Sequence, residues 1–267
     1  MPPTLQDLEN LARQAGQIVR DNFNSRPGFG SKHAVEHKGA IDLVTEVDHR
    51  SEAYLLGEIQ RRFPDHAVVA EESGGLEGEE NCQWYVDPLD GTVNFAHGLG
   101  IFSISLAYAQ EGHMHLAVVY DPVQDELFSA EKGRGAWLNG EPIKVSATDT
   151  LDDSLLVTGF SYDIRTNPEN NLDHYAHFML ISQGVRRLGS AALDLCYVAA
   201  GRLDGFWELR LSSWDVAAGA LIVQEAGGKV TNVSGGVDYL TTPLSILAAN
   251  PKLHRKMLRE LNRDLRT

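Results

Sequence analysis

WYVDPLDGTVNFAHG, residues 84–98, decides the fold of this sequence. The apolar run WYV predicts a strand that leads directly into two carboxylates, Asp87 and Asp90. The proline between them fixes a bend and has no N–H to donate to a neighbouring strand. Gly91 permits close approach of the backbone, and Thr92 is well placed to open a helix. The stretch therefore predicts a strand, a carboxylate-bearing bend and a helix in succession.

A second stretch, DPVQD at residues 121–125, tests whether the first pattern has any meaning. It has one more residue between its aspartates, lacks the Gly-Thr pair and precedes an apolar run that predicts a strand. We interpret it as a turn between two strands. An isolated D-P-x-D sequence is usually such a turn, so the motif at 87–90 needs support from elsewhere in the chain.

Acidic residues gather at the ends of predicted elements in three further stretches: DLVTEVD (42–48), VVAEES (68–73) and SSWDVAAG (212–219). Strands that end in carboxylates can form one site, because neighbouring strands lie only about 5 Å apart. Such a cluster needs a cation or a proton to compensate its charge. Oxygen ligands without His or Cys favour Mg²⁺, then Mn²⁺ or Ca²⁺. Metal ions on one side and the N–H groups of a helix start on the other would together bind a phosphate.

The composition is that of an ordinary globular protein with many acidic residues. Of its 267 residues 43% are hydrophobic, and 23 Lys and Arg oppose 37 Asp and Glu, for a formal net charge of −14. This charge opposes direct nucleic-acid binding, which needs a basic face. No apolar run reaches the roughly 20 residues of a membrane helix, and the first residues do not resemble a secretory signal. Cys82 and Cys196 have no ligand-like spacing, so we expect reduced thiols and a cytoplasmic location. From the net charge and the lack of a membrane segment, we expect no direct nucleic-acid partner and no membrane partner.

The order of predicted elements indicates two halves of different character. Apolar residues at three- and four-residue steps predict a helix over 5–23, and a second helix follows Asp48. Short β-rich runs then predict a largely antiparallel or mixed sheet, with a hairpin turn at Asn139-Gly140. In the second half, strands and helices alternate. We therefore expect a mixed α+β and α/β fold with two closely packed sub-domains, residues 1–148 and 149–267.

Taken together, the motifs resemble those of the inositol monophosphatase family, which comprises Mg²⁺-dependent, lithium-sensitive phosphatases related more distantly to fructose-1,6-bisphosphatase. The resemblance extends over roughly residues 5–262, and its specificity comes from several motifs at once. The matching stretches are DLVTEVD, AEES, WYVDPLDGTVNFAHG, VVYDP, GRGAWLNG and WDVAAGALIVQEAGG. It implies a layered sandwich of alternating helix and sheet layers, the sugar-phosphatase fold. It also implies hydrolysis of a sugar or polyol phosphate monoester, inositol 1-phosphate first, by direct attack of metal-activated water.

The resemblance further implies the cofactor and the residues that hold it. Two or three Mg²⁺ ions would act at each site, with Mn²⁺ as a substitute and Li⁺ and Ca²⁺ as inhibitors, and the protein would be a homodimer. The implied metal ligands are Glu71, Asp87, the Leu89 carbonyl, Asp90 and Asp215. Glu71 and Thr92 would activate the attacking water, and Asp48 would take the proton of Thr92.

Contacts to a small phosphomonoester substrate are implied at both ends of the site. The implied substrate contacts are Asp90, Gly91, Thr92, Gly189, Ser190, Ala191, Glu208 and Asp215. Gly91 and Thr92 would bind the phosphate through backbone N–H groups, and Glu208 would meet the hydroxyl-bearing part. Lys38 would neutralise charge at the rim, and Glu72 would support the metal ligands from behind.

Several residues keep a second interpretation. Thr92 and Asp215 are also ordinary helix-capping residues, and Glu208 could be a satisfied, half-buried acid. Arg186 and Arg187 could meet a second anionic group or only pair with surface acids. The alternative substrates within the family are fructose 1,6-bisphosphate, NADP, histidinol phosphate and 3′-phosphoadenosine 5′-phosphate. A regulatory role through a protein partner, alongside catalysis, is a further alternative, because some bacterial members of the family bind transcription machinery.

Overall fold

Helices cover both faces of two β-sheets in this protein, whose structure is a computed structural model. The structure describes residues 2–25, 35–37, 43–241 and 244–263. Lys38, predicted at the rim of the site, lies outside these residues. The helices within them are α1 Leu5–Asn24, α2 Glu46–Arg62, α3 Thr92–His97, α4 Leu172–Ile181, α5 Ala191–Ala199, α6 Ser213–Glu225 and α7 Pro251–Leu261.

The strands form a large sheet, a smaller sheet and one short pair. The strands within the described residues are β1 Val35–His37, β2 Leu43–Thr45, β3 His66–Ala70, β4 Glu79–Asp90, β5 Ser103–Gln110, β6 His113–Asp121, β7 Glu126–Glu131, β8 Gly135–Leu138, β9 Glu141–Pro142, β10 Leu155–Thr158, β11 Gly184–Arg186, β12 Gly205–Leu211, β13 Lys229–Thr231 and β14 Leu244–Ala249. The larger sheet has the order β3-β4-β5-β6-β7-β8-β9, and only β3 and β4 are parallel. The smaller sheet has the order β11-β10-β12-β14-β13, in which the first three strands are parallel. β1 and β2 form the antiparallel pair.

The elements stack as alternating layers of helix and sheet. α1 and α2 cover one face of the larger sheet, around Leu55 and Trp84. α5 and α6 fill the space between the two sheets, where the largest apolar cluster lies. α4 and α7 cover the outer face of the smaller sheet, around Phe178 and Trp207. This arrangement confirms the predicted mixed, layered fold.

Local predictions based on turn residues are confirmed. The predicted start of the first helix is also confirmed, and there Thr4 and Asp7 form a capping box. Asn139 and Gly140 both have positive φ in the tight turn between β8 and β9. The DPVQD stretch is a turn between β6 and β7, in which Asp121 accepts hydrogen bonds from two backbone N–H groups. Each signal succeeded because it depends only on neighbours in the sequence.

Two predicted boundaries are wrong, each for a local reason. The strand that begins before WYV continues to Asp90, because a register shift between Asp87 and Asp90 accommodates the proline. Helix α2 begins at Glu46 and not after Asp48, because Thr45 caps the helix and Asp48 closes a capping box from inside it. As a result, Asp87 and Asp90 lie within strand β4, and Asp48 lies within helix α2.

The predicted sub-domain boundary near residue 148 stays a prediction. The larger sheet ends at Pro142 and the smaller sheet begins at Leu155. Among the described helices, none combines the length and the apolar character that a membrane span requires.

Candidate active site

A cavity of about 320 Å³ lies where the end of β4 meets the starts of α5 and α6. It collects the predicted site residues from both halves of the chain. The predicted residues that line it are Glu71, Asp87, Leu89, Asp90, Gly91, Thr92, Gly189, Ser190, Ala191, Glu208 and Asp215. Asp48, the predicted proton acceptor, is hydrogen bonded to Thr92. The structure therefore brings the predicted metal ligands and substrate contacts to one cavity, with Asp48 bonded to Thr92 beside it.

The bend at the end of β4 is fixed by short-range contacts. The N–H of Leu89 donates to Asp87 Oδ1 at 3.0 Å, and Ser51 Oγ on α2 donates to the carbonyl of the intervening proline at 2.8 Å. Gly91 follows with a φ of 99°, and a Cβ there would lie 2.9 Å from the carbonyl oxygen of Ile101. The backbone path beside the acids therefore requires glycine at this position.

The hydroxyl of Thr92 links this bend to α2. Its Oγ1 lies 2.7 Å from Asp48 Oδ1 and 3.0 Å from the Leu89 carbonyl oxygen. The other oxygen of Asp48 accepts hydrogen bonds from the N–H and the hydroxyl of Thr45. Burial raises the pKa of Asp48, and these hydrogen bonds oppose the rise. Because Gly91 is the cap residue of α3, the interpretation of Thr92 as a plain helix cap is wrong.

Asp90 is held from the second half of the chain. Its Oδ2 accepts hydrogen bonds from Ser190 Oγ at 2.5 Å and from the N–H of Ala192 at 2.9 Å, at the start of α5. A helix start stabilises a carboxylate through free N–H groups and partial positive charge. Burial has the larger effect and raises the pKa of Asp90 to about 6. Compensation of this charge is therefore incomplete within the described protein atoms.

Asp215 closes a capping box at the start of α6. Its Oδ2 accepts a hydrogen bond from the N–H of Ser212 at 2.7 Å, so the interpretation of Asp215 as a helix cap is confirmed. Burial raises the pKa of Asp215 well above its usual range, and the charge of Glu71 raises it further. Capping does not prevent metal binding, because a carboxylate has about four lone-pair positions on its two oxygens.

Glu71 lies in the turn after β3, and α2 holds that turn in place. The buried carboxylate of Glu52 accepts hydrogen bonds from the N–H groups of Glu72, at 2.8 Å, and Ser73, at 2.9 Å. Glu52 is not among the residues predicted from the sequence. Its position in the sequence could have indicated this role. Glu52 lies on the same helical face as the buried Leu55, and an acid on a buried face is normally paired.

The acids at the end of β4 fit a hard divalent cation. Burial raises the pKa of Asp87, and the charges of Glu71, Asp90 and Asp215 raise it further, so the group holds an excess of negative charge. The donors are oxygens, which Mg²⁺ prefers. Within the described ranges, no group of three or more His, Cys, Asp or Glu side chains already has the arrangement of a metal site. Repulsion between like charges favours carboxylates that stay apart until a cation compensates them.

Glu208 and Gly159 also line the cavity. Glu208 on β12 is buried, which raises its pKa to about 8. It has no hydrogen-bond partner in the part of the chain that the structure describes, so its interpretation as a satisfied, half-buried acid is wrong. A Cβ on Gly159 would lie 2.1 Å from Glu208 Oε2, which means that the glycine provides the space for this carboxylate.

Two arginines also line the cavity. Arg187 is one of them, whereas Arg186 is exposed outside it. The second is Arg210, which is not among the residues predicted from the sequence. A register shift in β12 gives Arg210 a φ of 61°, and its guanidinium lies 3.3 Å from Glu169. Such a bulge leaves no mark in an alternating apolar pattern, so its effect on Arg210 was not predictable.

Comparisons with known proteins agree on one family. The model of the inositol monophosphatase family matches residues 3–266. Nus factor SuhB of Escherichia coli is 41% identical over 266 residues, which cover 99% of this chain and 98% of that protein. An inositol-1-monophosphatase of Synechocystis is 47% identical over 236 residues, which cover 87% of this chain and 82% of that protein.

Solved structures give the same result. The inositol monophosphatase of Anabaena superposes with a TM-score of 0.83 at 41% identity and covers 96% of both chains. The extragenic suppressor protein SuhB of Bartonella henselae superposes with a TM-score of 0.88 at 38% identity, over 96% of this chain and 97% of that one. The chain belongs to the inositol monophosphatase family. This family generally depends on Mg²⁺ and binds phosphomonoesters.

Proposed function

We propose that this protein is a Mg²⁺-dependent phosphatase that hydrolyses a sugar or polyol phosphate monoester, with inositol 1-phosphate as the first candidate substrate. The observation that carries the proposal is one cavity that collects acids from both halves of the chain. Glu71, Asp87, Asp90 and Asp215 line it, and so does the buried Glu208. The relative from Synechocystis, which is named an inositol-1-monophosphatase, supports the same substrate.

In this proposal the protein holds the cation and relays one proton. The metal ligands are Glu71, Asp87, the Leu89 carbonyl, Asp90 and Asp215. Bound Mg²⁺ would polarise the phosphate and lower the pKa of a bound water. Glu71 orients the attacking water, and Thr92 Oγ1 accepts a proton from it. The hydroxyl proton of Thr92 passes to Asp48 Oδ1, which lies 2.7 Å away.

The substrate spans the cavity between these groups and Glu208. Backbone N–H groups of Gly91 and Thr92 bind the phosphate oxygens, and Glu208 contacts the hydroxyl-bearing part. The remaining contacts come from Gly189, Ser190 and Ala191. Water adds to phosphorus while the bond from phosphorus to the polyol oxygen breaks, and that oxygen takes up a proton from solvent water. The attack is direct, so no phosphoenzyme forms.

Replacement of Asp90 tests the proposal. Asp90→Asn should abolish phosphate release from inositol 1-phosphate in Mg²⁺, because the amide has no charge to offer the cation. A thousandfold loss of kcat corresponds to about 4 kcal/mol. The matched control is Asp121→Asn, which alters the similar DPVQD turn outside the cavity and should keep the activity. Wild-type protein that releases phosphate from no phosphomonoester would contradict the proposal.

The identity of the substrate is tested with a panel. Fructose 1,6-bisphosphate, NADP, histidinol phosphate and 3′-phosphoadenosine 5′-phosphate are compared with inositol 1-phosphate by kcat/KM. Arg187 and Arg210 beside the cavity favour substrates that carry a second anionic group, which makes the bisphosphates the main competitors. Mn²⁺ is tested as a substitute for Mg²⁺, and Li⁺ and Ca²⁺ as inhibitors.

A regulatory role alongside catalysis is the second candidate, favoured by the Escherichia coli relative that is named Nus factor SuhB. With a net charge of −14, the chain would act through a protein partner and without direct contact to nucleic acid. A pull-down of purified RNA polymerase components tests this role, and a negative result beside a sensitive positive control would remove it. We also expect a homodimer, which light scattering on the purified protein would detect.

A further inference from the structure

Asp194 is a second buried acid on the cavity wall, and the mechanism above does not use it. It belongs to α5, is 1% exposed and lines the cavity together with Glu208. Burial raises the pKa of Asp194 well above its usual range, and the charge of Glu208 adds to the rise. Among the residues that the structure describes, Asp194 Oδ1 has no hydrogen-bond partner.

A buried acid with an unpaired oxygen is not expected to stabilise the fold at this position. A buried carboxyl group without partners costs free energy, and an apolar side chain of the same shape avoids that cost. Asp121, by contrast, is an equally buried acid whose carboxylate accepts hydrogen bonds from two backbone N–H groups. The presence of an unpaired acid at position 194 therefore requires another explanation. A ligand that supplies the missing hydrogen-bond donor would explain it.

The neighbours of Asp194 define the chemistry of that ligand. The positive charge of Arg187 opposes the rise in the pKa of both Asp194 and Glu208. A metal ion between these two acids would therefore meet a like charge. Hydroxyl groups are neutral donors that suit a pair of carboxyl groups. A substrate whose phosphate lies beside the proposed metal ligands of the same cavity can present its hydroxyls to this pair.

We propose that Asp194 accepts a hydrogen bond from a substrate hydroxyl, and that Asp194 and Glu208 together select phosphate esters with at least two hydroxyl groups. This inference rests on the proposed phosphatase function and deepens it, because it makes Asp194 a specificity-determining residue. Gly159 belongs to the same arrangement, since a side chain there would displace the Glu208 carboxylate.

The test compares inositol 1-phosphate with p-nitrophenyl phosphate, an ester without hydroxyl groups. In Asp194→Leu the branched shape is kept and both oxygens are removed. We expect the ratio of kcat/KM for the two esters to fall at least tenfold, which corresponds to about 1.4 kcal/mol. The urea midpoint should stay equal or rise, because an unpaired buried acid is gone. Asp194→Asn, which keeps one acceptor oxygen, should lose less selectivity.

Asp121→Leu is the matched control, because it removes a buried acid whose donors are then left unpaired. Its urea midpoint should fall, and its ratio of kcat/KM should equal that of the wild type. An unchanged ratio in Asp194→Leu would overturn the inference, and so would failure of this variant to fold, because that failure assigns Asp194 a structural role. If the wild type hydrolyses neither ester, the proposed function fails as well. If it hydrolyses both and the ratio does not move, only the role of Asp194 is wrong.

Discussion

The hydroxyl of Thr92 serves both the local structure and the proposed chemistry. Without substrate its proton is shared between Asp48 and the carbonyl of Leu89, so the group is already oriented before any ligand arrives. Burial raises the pKa of Asp48, which reduces the free-energy cost of placing a proton on it. A proton relay thus needs no rearrangement of these two side chains.

Removal of this hydroxyl should affect the rate more than substrate binding. Thr92→Ala should lower kcat about a hundredfold or more, because general acid–base groups contribute roughly 10²- to 10⁴-fold. Thr92→Ser keeps the hydroxyl and should retain most of the rate. Steady-state kinetics at saturating Mg²⁺ measure both variants. A Thr92→Ala enzyme as fast as the serine variant would show that the hydroxyl relays no proton.

For single residues, the sequence predicted the acids of the site but not all of their hydrogen-bond partners. The acids at 87 and 90 were predictable because strand, proline and Gly-Thr signals lie within ten residues of one another. The partners of Asp90 on α5 are one hundred or more positions away, and no local pattern reports such a contact. The same separation explains why the absence of partners around Asp194 became visible only in the folded chain.

Among the elements, α2 contributes more to the site than its sequence suggests. It carries Asp48 toward Thr92, Ser51 toward the bend of β4, and Glu52 toward the turn that holds Glu71. These three residues lie within five positions at the start of one helix. A rigid helix can therefore fix the relative positions of two separate strand ends.

Glu52→Gln tests this positioning role. The amide keeps one acceptor oxygen but presents an NH₂ group to one of the two backbone donors, so we expect a loss of about 1–2 kcal/mol in the free energy of unfolding. The Mg²⁺ concentration for half-maximal activity should rise, because the turn that carries Glu71 is less firmly held. Glu58→Gln, which alters surface ion pairs on the same helix, is the control and should change neither quantity appreciably. An unchanged Mg²⁺ dependence in Glu52→Gln would separate α2 from the metal ligands.

The elements also show where a sequence pattern stops being informative. The helix-capping role of Asp215 and the Asn139-Gly140 turn were predictable because their hydrogen bonds join near neighbours. The course of β4 through its proline and the bulge before Leu211 were not, because register is decided by the partner strand. Both irregularities lie at the cavity, where the chain departs from ideal geometry to place functional side chains.

For the whole molecule, the buried acids make stability depend on pH. Burial raises the pKa of Glu208 from its ordinary value of 4.5 to about 8. Between these values the folded protein binds more protons than the unfolded chain, so the stability contributed by this group is lost as pH rises. Asp87 and Asp215 shift in the same direction and steepen the loss.

This dependence gives a measurable slope in metal-free protein. With EDTA present, Glu208 alone should lower the free energy of unfolding by about 3–4 kcal/mol between pH 5 and pH 8. Glu208→Gln has no group to titrate and should show a correspondingly smaller slope. Urea unfolding at a series of pH values measures both proteins. Parallel curves for the two would mean that Glu208 ionises in the folded state much as it does in the unfolded chain.

The hydrogen bonds from α5 to Asp90 also have a consequence for how the protein is made. Ser190 and Ala192 are synthesised about one hundred residues after Asp90. Until then the Asp90 carboxylate lacks the two hydrogen-bond donors that fix its position. A truncated translation product can therefore carry the complete DPLDGT motif and still be inert. The proposed chemistry therefore requires that residues from both halves of the chain are folded together.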